Sequence, residues 1–153
     1  MEQVKADSTL TQYCGFKIGN EEYGIPVMEV QEVIKPQVVT PIPLASEFIR
    51  GLINLRGQIV SCLSLRKLFG QDDNLEKDHM NIIVRGEEGL FSLVVDEVTD
   101  IIDIKNEDVE KAPDTINPNL KKYVDKIFKR DNGLVILLDI KKLIDLKDLN
   151  VKK

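Results

Sequence analysis

Four carboxylates lie close together in the sequence and are the groups best suited to hold a cation: Asp96, Glu97, Asp100 and Asp103. A Ca²⁺ ion needs several oxygen ligands that converge on one point, and EF-hand loops supply them at fixed spacings. The carboxylates here lack that spacing, and their apolar neighbours indicate a strand, on which adjacent side chains point to opposite faces. We therefore predict a solvated acidic surface and no metal site.

Cys14 and Cys62 are the only cysteines, and His79 is the only histidine. Three such residues, spread widely along the chain, do not make a zinc site. The cysteines are compatible with a disulfide, a metal-binding pair or two buried thiols, and the apolar neighbours of each favour buried thiols. No cysteine or serine motif accompanies His79, so no activated nucleophile is indicated.

Other catalytic motifs are also missing from the sequence. The turn at residues 85–89 carries Glu87 and Glu88, whereas a phosphate-binding loop has no acidic residues there. No Gly-x-Ser-x-Gly elbow occurs, and no set of residues supplies a nucleophile, a base and a group that orients the base. We predict a protein without enzymatic activity and without a bound cofactor.

The composition limits the class of partner. The 153 residues are 42% hydrophobic and 31% charged, and the net charge is −5, with three tyrosines, five phenylalanines and no tryptophan. These values argue against nucleic-acid binding, which needs a basic face with aromatic side chains. No apolar run approaches the roughly 20 residues of a membrane span, and residues 1–5 do not resemble a signal peptide. We expect a cytoplasmic protein that does not insert into a membrane.

Two pairs of segments repeat along the chain. Residues 59–69 resemble residues 134–144 at an offset of 75, and residues 23–30 resemble residues 91–98 at an offset of 68. Repeats of this kind indicate a duplicated supersecondary unit. Two units are too few for a solenoid, so we predict a pseudo-symmetric pair of small β-barrels.

The elements that position the candidate residues are many short strands, with short helices at strand ends and a C-terminal helix that Asp139 caps. Residues 1–11 are predicted to form a flexible N-terminal arm, residues 12–147 a single domain and residues 148–153 a tail. Within the domain, a polar linker at residues 71–79 separates approximate lobes at 12–70 and 80–140. Arg56 and Gly57 are predicted to join two strands as a hairpin, with Gly57 at positive φ.

The segment at residues 50–69 carries its charges singly between apolar residues, as on a sheet surface that faces another protein. The sharpest candidates for contact with a partner are Val30, Glu32 and Arg56. Glu32 and Arg56 either pair with each other, which contributes about 0 to 1 kcal/mol at a surface, or flank an apolar strip through Val30 that a partner helix enters. Arginine at such places is often a binding hot spot. The sequence leaves both interpretations open.

Four segments closely resemble the CheW-like chemotaxis coupling proteins: residues 22–25, 30–34, 49–57 and 94–102. The run Asn54-Leu55-Arg56-Gly57 is highly specific in this context, and the resemblance covers about residues 12–147. It implies two SH3-like five-stranded barrels that share a core, in agreement with the duplication. It also implies a non-enzymatic adaptor that helps to build receptor arrays.

The resemblance further implies the partners, which are the regulatory domain of the histidine kinase CheA and the cytoplasmic hairpin tip of methyl-accepting chemoreceptors. The residues it assigns to receptor or kinase contacts are Val30, Glu32, Asn54, Arg56 and Gly57. By analogy with the kinase domain, which is similar to the coupler itself, Val98 and Ile101 contribute to a kinase interface. We expect a monomer in isolation and a lattice member in arrays at the membrane.

Two residues depart from the family pattern. Ser64 replaces an aspartate, and both residue types cap helices. Gly15 replaces a β-branched residue within a strand, which indicates a bulge or a weaker edge.

The main alternative function is a coupler or regulatory module of a related two-component system with a non-motility output. A coupler with a receiver domain needs a further domain beyond Lys153, and a kinase regulatory domain is not expected to begin with Met and a polar arm of its own. An unrelated small-barrel enzyme would be indicated by a small molecule bound among convergent polar groups.

Overall fold

The computed structural model describes residues 9–42, 47–72, 79–87 and 89–145, and these residues form two β-sheets with three short helices. The strands are β1 (Leu10–Ile18), β2 (Glu21–Pro26), β3 (Val30–Ile34), β4 (Ile49–Leu55), β5 (Gln58–Ser64), β6 (Met80–Gly86), β7 (Gly89–Val95), β8 (Glu97–Lys105), β9 (Val109–Glu110), β10 (Val124–Arg130) and β11 (Gly133–Leu138). The helices are α1 (Leu65–Leu68), α2 (Pro118–Lys121) and α3 (Ile140–Leu143). The prediction of a mainly β, SH3-like fold is confirmed.

Each sheet is the basis of one lobe. Sheet A, in lobe A, has the order β8-β1-β2-β11-β10-β9, and sheet B, in lobe B, has the order β3-β6-β7-β5-β4. β9 contains only two residues, so each lobe is built from five longer strands, as the family resemblance implied.

The lobes differ from the predicted division into residues 12–70 and 80–140. Sheet A combines β1 and β2 with strands from the C-terminal half, whereas sheet B contains β3 to β7. Two parallel pairs join strands from different halves: β2 with β11 and β5 with β7. The predicted division was wrong because a repeated apolar pattern does not show whether a strand pairs within its own half of the sequence or with a strand of the other half.

The predicted duplication is visible in the strand pairing, because the repeated segments form corresponding pairs in the two sheets. In sheet A Tyr23 pairs with Ile136, and in sheet B Phe91 pairs with Ser61. These two pairs correspond under the offsets of 68 and 75. The two copies therefore exchange strands around a pseudo-twofold relation.

The helix caps follow the same relation. Ser64 Oγ accepts a hydrogen bond from the Lys67 amide at 3.3 Å and caps α1. Asp139, at the equivalent position before α3, accepts from the amides of Lys141 and Lys142 at 2.9 and 3.3 Å. The caps predicted at both positions are confirmed, and Ser64 performs this role without a carboxylate.

The ends of the domain differ slightly from the prediction. β1 begins at Leu10, which pairs with Lys105, so residues 10 and 11 of the predicted arm belong to sheet A. Residues 1–8, linker residues 73–78 and residues 146–153 lie outside the described part of the chain, so the predictions of an arm and a tail, and most of the linker, fall outside it as well.

The largest cluster of buried side chains joins the two lobes. It contains Phe16 and Tyr23 from sheet A together with Leu63 and Leu93 from sheet B. A row of aromatic rings crosses this junction, with centroid distances of 5.6 Å from Phe16 to Tyr23 and 5.3 Å from Tyr23 to Phe69. Each such side chain contributes about 1.5–3 kcal/mol through burial, so the lobes form one cooperative core.

Both cysteines are buried and unpaired, as predicted. Burial raises the pKa of each thiol above its ordinary value. For Cys62 this effect exceeds the opposing influence of the Ser92 hydroxyl and the Arg50 charge. The thiols are therefore protonated at neutral pH and pack as small apolar groups.

The register between β1 and β8 shifts between Cys14 and Phe16, so of the two alternatives expected at Gly15, a bulge or a weaker edge, the structure has the bulge. A Cβ atom at Gly15 would lie 2.5 Å from Thr99 Oγ1.

No helix within the described part of the chain is long and apolar enough to cross a membrane. Within the same residues, no group of three histidine, cysteine or acidic side chains is arranged to hold a metal ion.

Candidate functional site

The hairpin between β4 and β5 presents Arg56 at its tip. Leu55 pairs with Gln58, so the turn consists of two residues, Arg56 and Gly57, with φ values of 52° and 88°. Two successive positive φ angles define a type I′ turn, whose twist matches that of the strands. Asn54 Oδ1 accepts a hydrogen bond from the Gly57 amide at 2.8 Å and stabilises this turn. The predicted hairpin, with Gly57 at positive φ, is confirmed.

Arg56 is the one non-glycine residue with positive φ in the described part of the chain. An L-residue adopts this region of the backbone at a steric cost, and such residues concentrate at functional sites. The steric cost at Arg56 is offset by the hydrogen bond from the Gly57 amide to the Asn54 side chain and by the pairing of β4 with β5. The hairpin therefore fixes the direction of the Cα–Cβ bond of Arg56.

Arg56 forms an ion pair with Glu32 of β3, through Nη2 and Oε2. β3 and β4 are the edge strands of sheet B, so the pair connects the two edges at which this barrel closes. The Arg56 side chain is 66% exposed and that of Glu32 is 27% exposed. The intramolecular pairing considered from the sequence is thus present, and most of the guanidinium surface still faces solvent.

A second contact closes the same barrel. The segment after β3 returns to β4, where Thr40 and Leu52 exchange two backbone hydrogen bonds of 2.8 Å. Gly51 lies directly beneath this segment with a φ of +148°, and a Cβ atom there would lie 2.3 Å from the Thr40 carbonyl oxygen. Only glycine fits between the strand and the segment that covers it.

Val30 is less exposed than an open apolar strip requires. It lies on β3 opposite Val84 and packs partly buried against the main core. Among the strand residues of lobe B, apolar side chains are more exposed at Val33 of β3, with 38% of its surface accessible, and at Ile59 of β5, with 60%. Any partner surface here combines the Arg56 hairpin with these side chains more readily than with Val30.

Val98 and Ile101 lie on β8 in lobe A. Val98 pairs with Phe16 and packs half-buried against the main core. Ile101 pairs with Cys14, and 54% of its surface is exposed. The two residues therefore lie on one strand, but only Ile101 offers a large apolar contact area.

Lobe A carries a second ion pair that the sequence reasoning missed. Asp100 is equivalent to Glu32 at the offset of 68, and Arg130 ends β10, the strand equivalent to β4. Arg130 Nη2 lies 3.8 Å from Asp100 Oδ2, and Arg130 Nη1 donates to Glu22 Oε1 at 3.1 Å. Glu22 also accepts from Thr99 Oγ1 at 3.1 Å. In each barrel an arginine at a hairpin turn thus forms the closing ion pair: Arg56 at the β4–β5 turn and Arg130 at the β10–β11 turn.

The exposed apolar residues follow the same equivalence. Ile101 corresponds to Val33, and Leu134, which is 39% exposed, corresponds to Ile59. Applied to Glu32 and Ile59, the two offsets locate Asp100 and Leu134, whereas Arg56 maps to Asp131, one residue past Arg130. The structure therefore contains two similar candidate contact faces, one on each lobe.

Asp96 does not belong to the predicted acidic surface. Its carboxylate binds Arg66, with distances of 2.9 Å from Nε to Oδ1 and 2.5 Å from Nη2 to Oδ2. Asp100 binds Arg130, and Asp103 accepts from Gln12 Nε2 at 3.1 Å. Three of the four carboxylates thus have separate neighbours, which is the arrangement of a structural surface rather than a cation site.

Comparison with known proteins places these features in a family. Residues 12–148 match the model of the CheW-like domain. The chemotaxis protein CheW of Helicobacter pylori is 32% identical over 134 residues, which cover 87% of this chain and 81% of that protein. The chemotaxis protein CheW of Treponema pallidum is 32% identical over 143 residues, covering 90% and 84%. The crystal structure of the scaffolding protein TtCheW from Thermoanaerobacter tengcongensis superposes with a TM-score of 0.80 at 31% identity, covering 92% of this chain and 96% of that one.

Proposed function

The chain belongs to the family of CheW-like domains, and we propose that it is a non-enzymatic chemotaxis adaptor in the cytoplasm. In this proposal it couples the cytoplasmic tips of methyl-accepting chemoreceptors to a histidine kinase of the CheA type. The observation that supports it most is the strained β4–β5 hairpin, which holds a largely exposed arginine at a defined position. The names of its relatives, chemotaxis protein CheW and scaffolding protein, agree with an adaptor.

The proposed receptor and kinase contacts include Arg56, Gly57 and Asn54, together with Glu32 and Val30. Asn54 and Gly57 act by shaping the turn, and Arg56 supplies planar hydrogen-bond donors that can bind a carboxylate or a carbonyl of the partner. Because Arg56 is already held near Glu32, little side-chain entropy is lost when a partner binds. A receptor helix that presents a polar residue next to an apolar one fits this surface.

The proposed kinase contact on lobe A lies around Ile101 and Val98. A partner with the same barrel architecture can pack against this strand, since the exposed Ile101 provides apolar area and Arg130 lies next to Asp100. Contacts of this kind need not exceed the standard interface size of about 1,600 Å². Several weak contacts give a durable assembly when the partners are arranged in an array.

The adaptor proposal is tested by a bridging experiment. Vesicles that display receptor cytoplasmic fragments are sedimented with the kinase in the presence and absence of this chain. We expect kinase to appear in the pellet only when the chain is added, because a single chain presents both contact faces. Equal kinase sedimentation with and without the chain would contradict the proposal.

Glu32→Lys is expected to abolish most of the bridging in this assay. The new lysine repels Arg56 and changes the charge of the receptor face, whereas the fold loses only an exposed ion pair worth about 0 to 1 kcal/mol. The matched control is the charge swap Glu32→Lys with Arg56→Glu, which restores the pair with reversed signs. Recovery of bridging by the swap would show that the two residues only pair with each other; continued loss, which we expect, assigns them to a partner contact.

A further inference from the structure

Within the described residues the chain passes between the two sheets at two places. The first is the 3₁₀ turn Val27–Glu29, which leads from β2 to β3. The second is Asp96, the single residue between β7 of sheet B and β8 of sheet A. Any rotation of one lobe relative to the other must change the backbone at these two crossings.

Asp96 is held by several contacts that reach across the junction. Its amide donates to the Lys17 carbonyl oxygen at 3.0 Å, and its Oδ2 accepts from the Gly19 amide at 2.7 Å, so both groups contact the β1–β2 end of lobe A. The carboxylate also accepts two hydrogen bonds from Arg66, on α1 at the end of β5 in lobe B. One side chain therefore joins lobe A, lobe B and the crossing itself.

Arg66 extends this contact to the linker. Its Nη1 donates to the Asp72 carbonyl oxygen at 3.3 Å and contacts Gln71 Oε1 at 3.5 Å. The side chains of Arg66 and Asp96 are 19% and 22% exposed. A bidentate arginine–carboxylate pair in such partial burial is geometrically specific and stronger than an exposed pair. We call Arg66, Asp96 and the Gly19 amide the interlobe clamp.

The pseudo-equivalent junction is built without such a clamp. Lys141 stands in place of Arg66 at the offset of 75, and Met28 stands in place of Asp96 at the offset of 68. At that crossing Arg85 Nη1 donates to the Met28 carbonyl oxygen at 2.9 Å. Because one junction of the duplicated fold closes without a carboxylate, the barrel architecture alone does not require the clamp at the other.

We propose that Arg66 and Asp96 are positioning residues that hold the two lobes in one relative orientation, and that the adaptor stimulates the kinase only in this orientation. The second part rests on the proposed function. A receptor bound near Arg56 of lobe B and a kinase bound near Ile101 of lobe A exchange a signal through the junction between the lobes. A rigid junction transmits a displacement from one face to the other, whereas a loose junction absorbs it.

The first test compares Arg66→Gln with Lys141→Gln. Both variants remove one positive charge from equivalent positions of the two short helices. We expect Arg66→Gln to lower receptor-stimulated kinase phosphorylation by about fivefold or more, within the range of allosteric couplings, while the affinities for receptor fragment and kinase domain, measured separately, stay within about twofold of wild type. We expect Lys141→Gln to leave stimulation unchanged. Equal stimulation by Arg66→Gln and wild type would overturn the proposal.

The second test measures the orientation itself. Spin labels are placed on Lys35→Cys in lobe B and Glu107→Cys in lobe A, both exposed, while the native Cys14 and Cys62 are buried. The distance distribution between the labels is expected to broaden in Arg66→Gln and to stay narrow in Lys141→Gln. An unchanged distribution in Arg66→Gln overturns the proposal, even if stimulation is lost.

If Arg66→Gln does not fold, the double variant Arg66→Gln with Asp96→Asn removes both charges and keeps an acceptor for the Gly19 amide. Lower receptor-stimulated phosphorylation and a broader distance distribution are then expected of the double variant, and unchanged values of either would overturn the proposal. A wild-type chain that fails to stimulate the kinase would contradict the proposed function only, because the label distances still decide whether the clamp fixes the lobes.

Discussion

Arg56→Glu is expected to lower receptor-stimulated kinase activity by about tenfold or more, a loss of roughly 1.4 kcal/mol or more of coupling. The substitution reverses the charge at the tip of the β4–β5 hairpin and places two carboxylates together, since Glu32 is the residue that Arg56 contacts. Truncation of an arginine hot spot commonly costs about 2 kcal/mol or more. Activity is measured as phosphate transfer with receptor fragment, kinase and adaptor present.

The melting temperature of Arg56→Glu should stay close to that of the wild type. An exposed ion pair contributes at most about 1 kcal/mol, which corresponds to a few degrees in a domain of this size. Lys111→Glu, an exposed residue outside the strands, serves as the control with the same charge change. Unchanged kinase activity in Arg56→Glu would remove this residue from the site. An equal loss of kinase activity in Arg56→Glu and Lys111→Glu would show that the effect comes from the change in net charge and not from the position of Arg56.

Gly51→Ala is expected to lower the free energy of unfolding by about 2 kcal/mol or more. Gly51 has a φ of +148°, and an added Cβ atom would lie 2.3 Å from the Thr40 carbonyl oxygen and 2.8 Å from its carbonyl carbon. Both are backbone atoms, so they cannot move aside as a flexible side chain would. The hydrogen bonds between Thr40 and Leu52, which close lobe B, are expected to break. Urea unfolding measures the loss.

Gly89→Ala is the matched control for this prediction. Gly89 also has a positive φ, of +130°, but apart from its chain neighbours no described residue has a heavy atom within 4 Å of the Cβ position. The difference between the two variants therefore isolates the contact with Thr40 from the backbone strain that both share. Equal losses of stability would contradict the packing that we describe around Gly51.

The features that the sequence predicted correctly depend on short-range signals. The Arg56-Gly57 turn, the caps at Ser64 and Asp139 and the bulge at Gly15 each follow from residues within a few positions of one another. Turn and cap chemistry is local, since a side chain acts on backbone groups two or three residues away. The candidate site on lobe B could be located because its hairpin belongs to this class.

The features that the sequence did not reveal are long-range. The exchange of strands between the lobes rests on the parallel pair of β2 with β11, which joins residues more than 100 positions apart. Asp96 looked like one member of an acidic group because Arg66, its partner, lies 30 residues earlier on another element. Arg130 and Asp100 are likewise separated by 30 residues. Local patterns carry no information about which distant charge will be adjacent in the fold.

The most direct measurement of the central claim is reconstitution of the three components. Receptor cytoplasmic fragments and a CheA-type kinase are mixed at fixed concentrations, and kinase autophosphorylation is followed as this chain is titrated from none to excess. We expect the receptor to stimulate the kinase strongly only in the presence of the chain, and the stimulation to saturate as the adaptor sites fill. Stimulation that is independent of the chain, or a kinase that does not respond at any concentration of it, would contradict the proposed coupling.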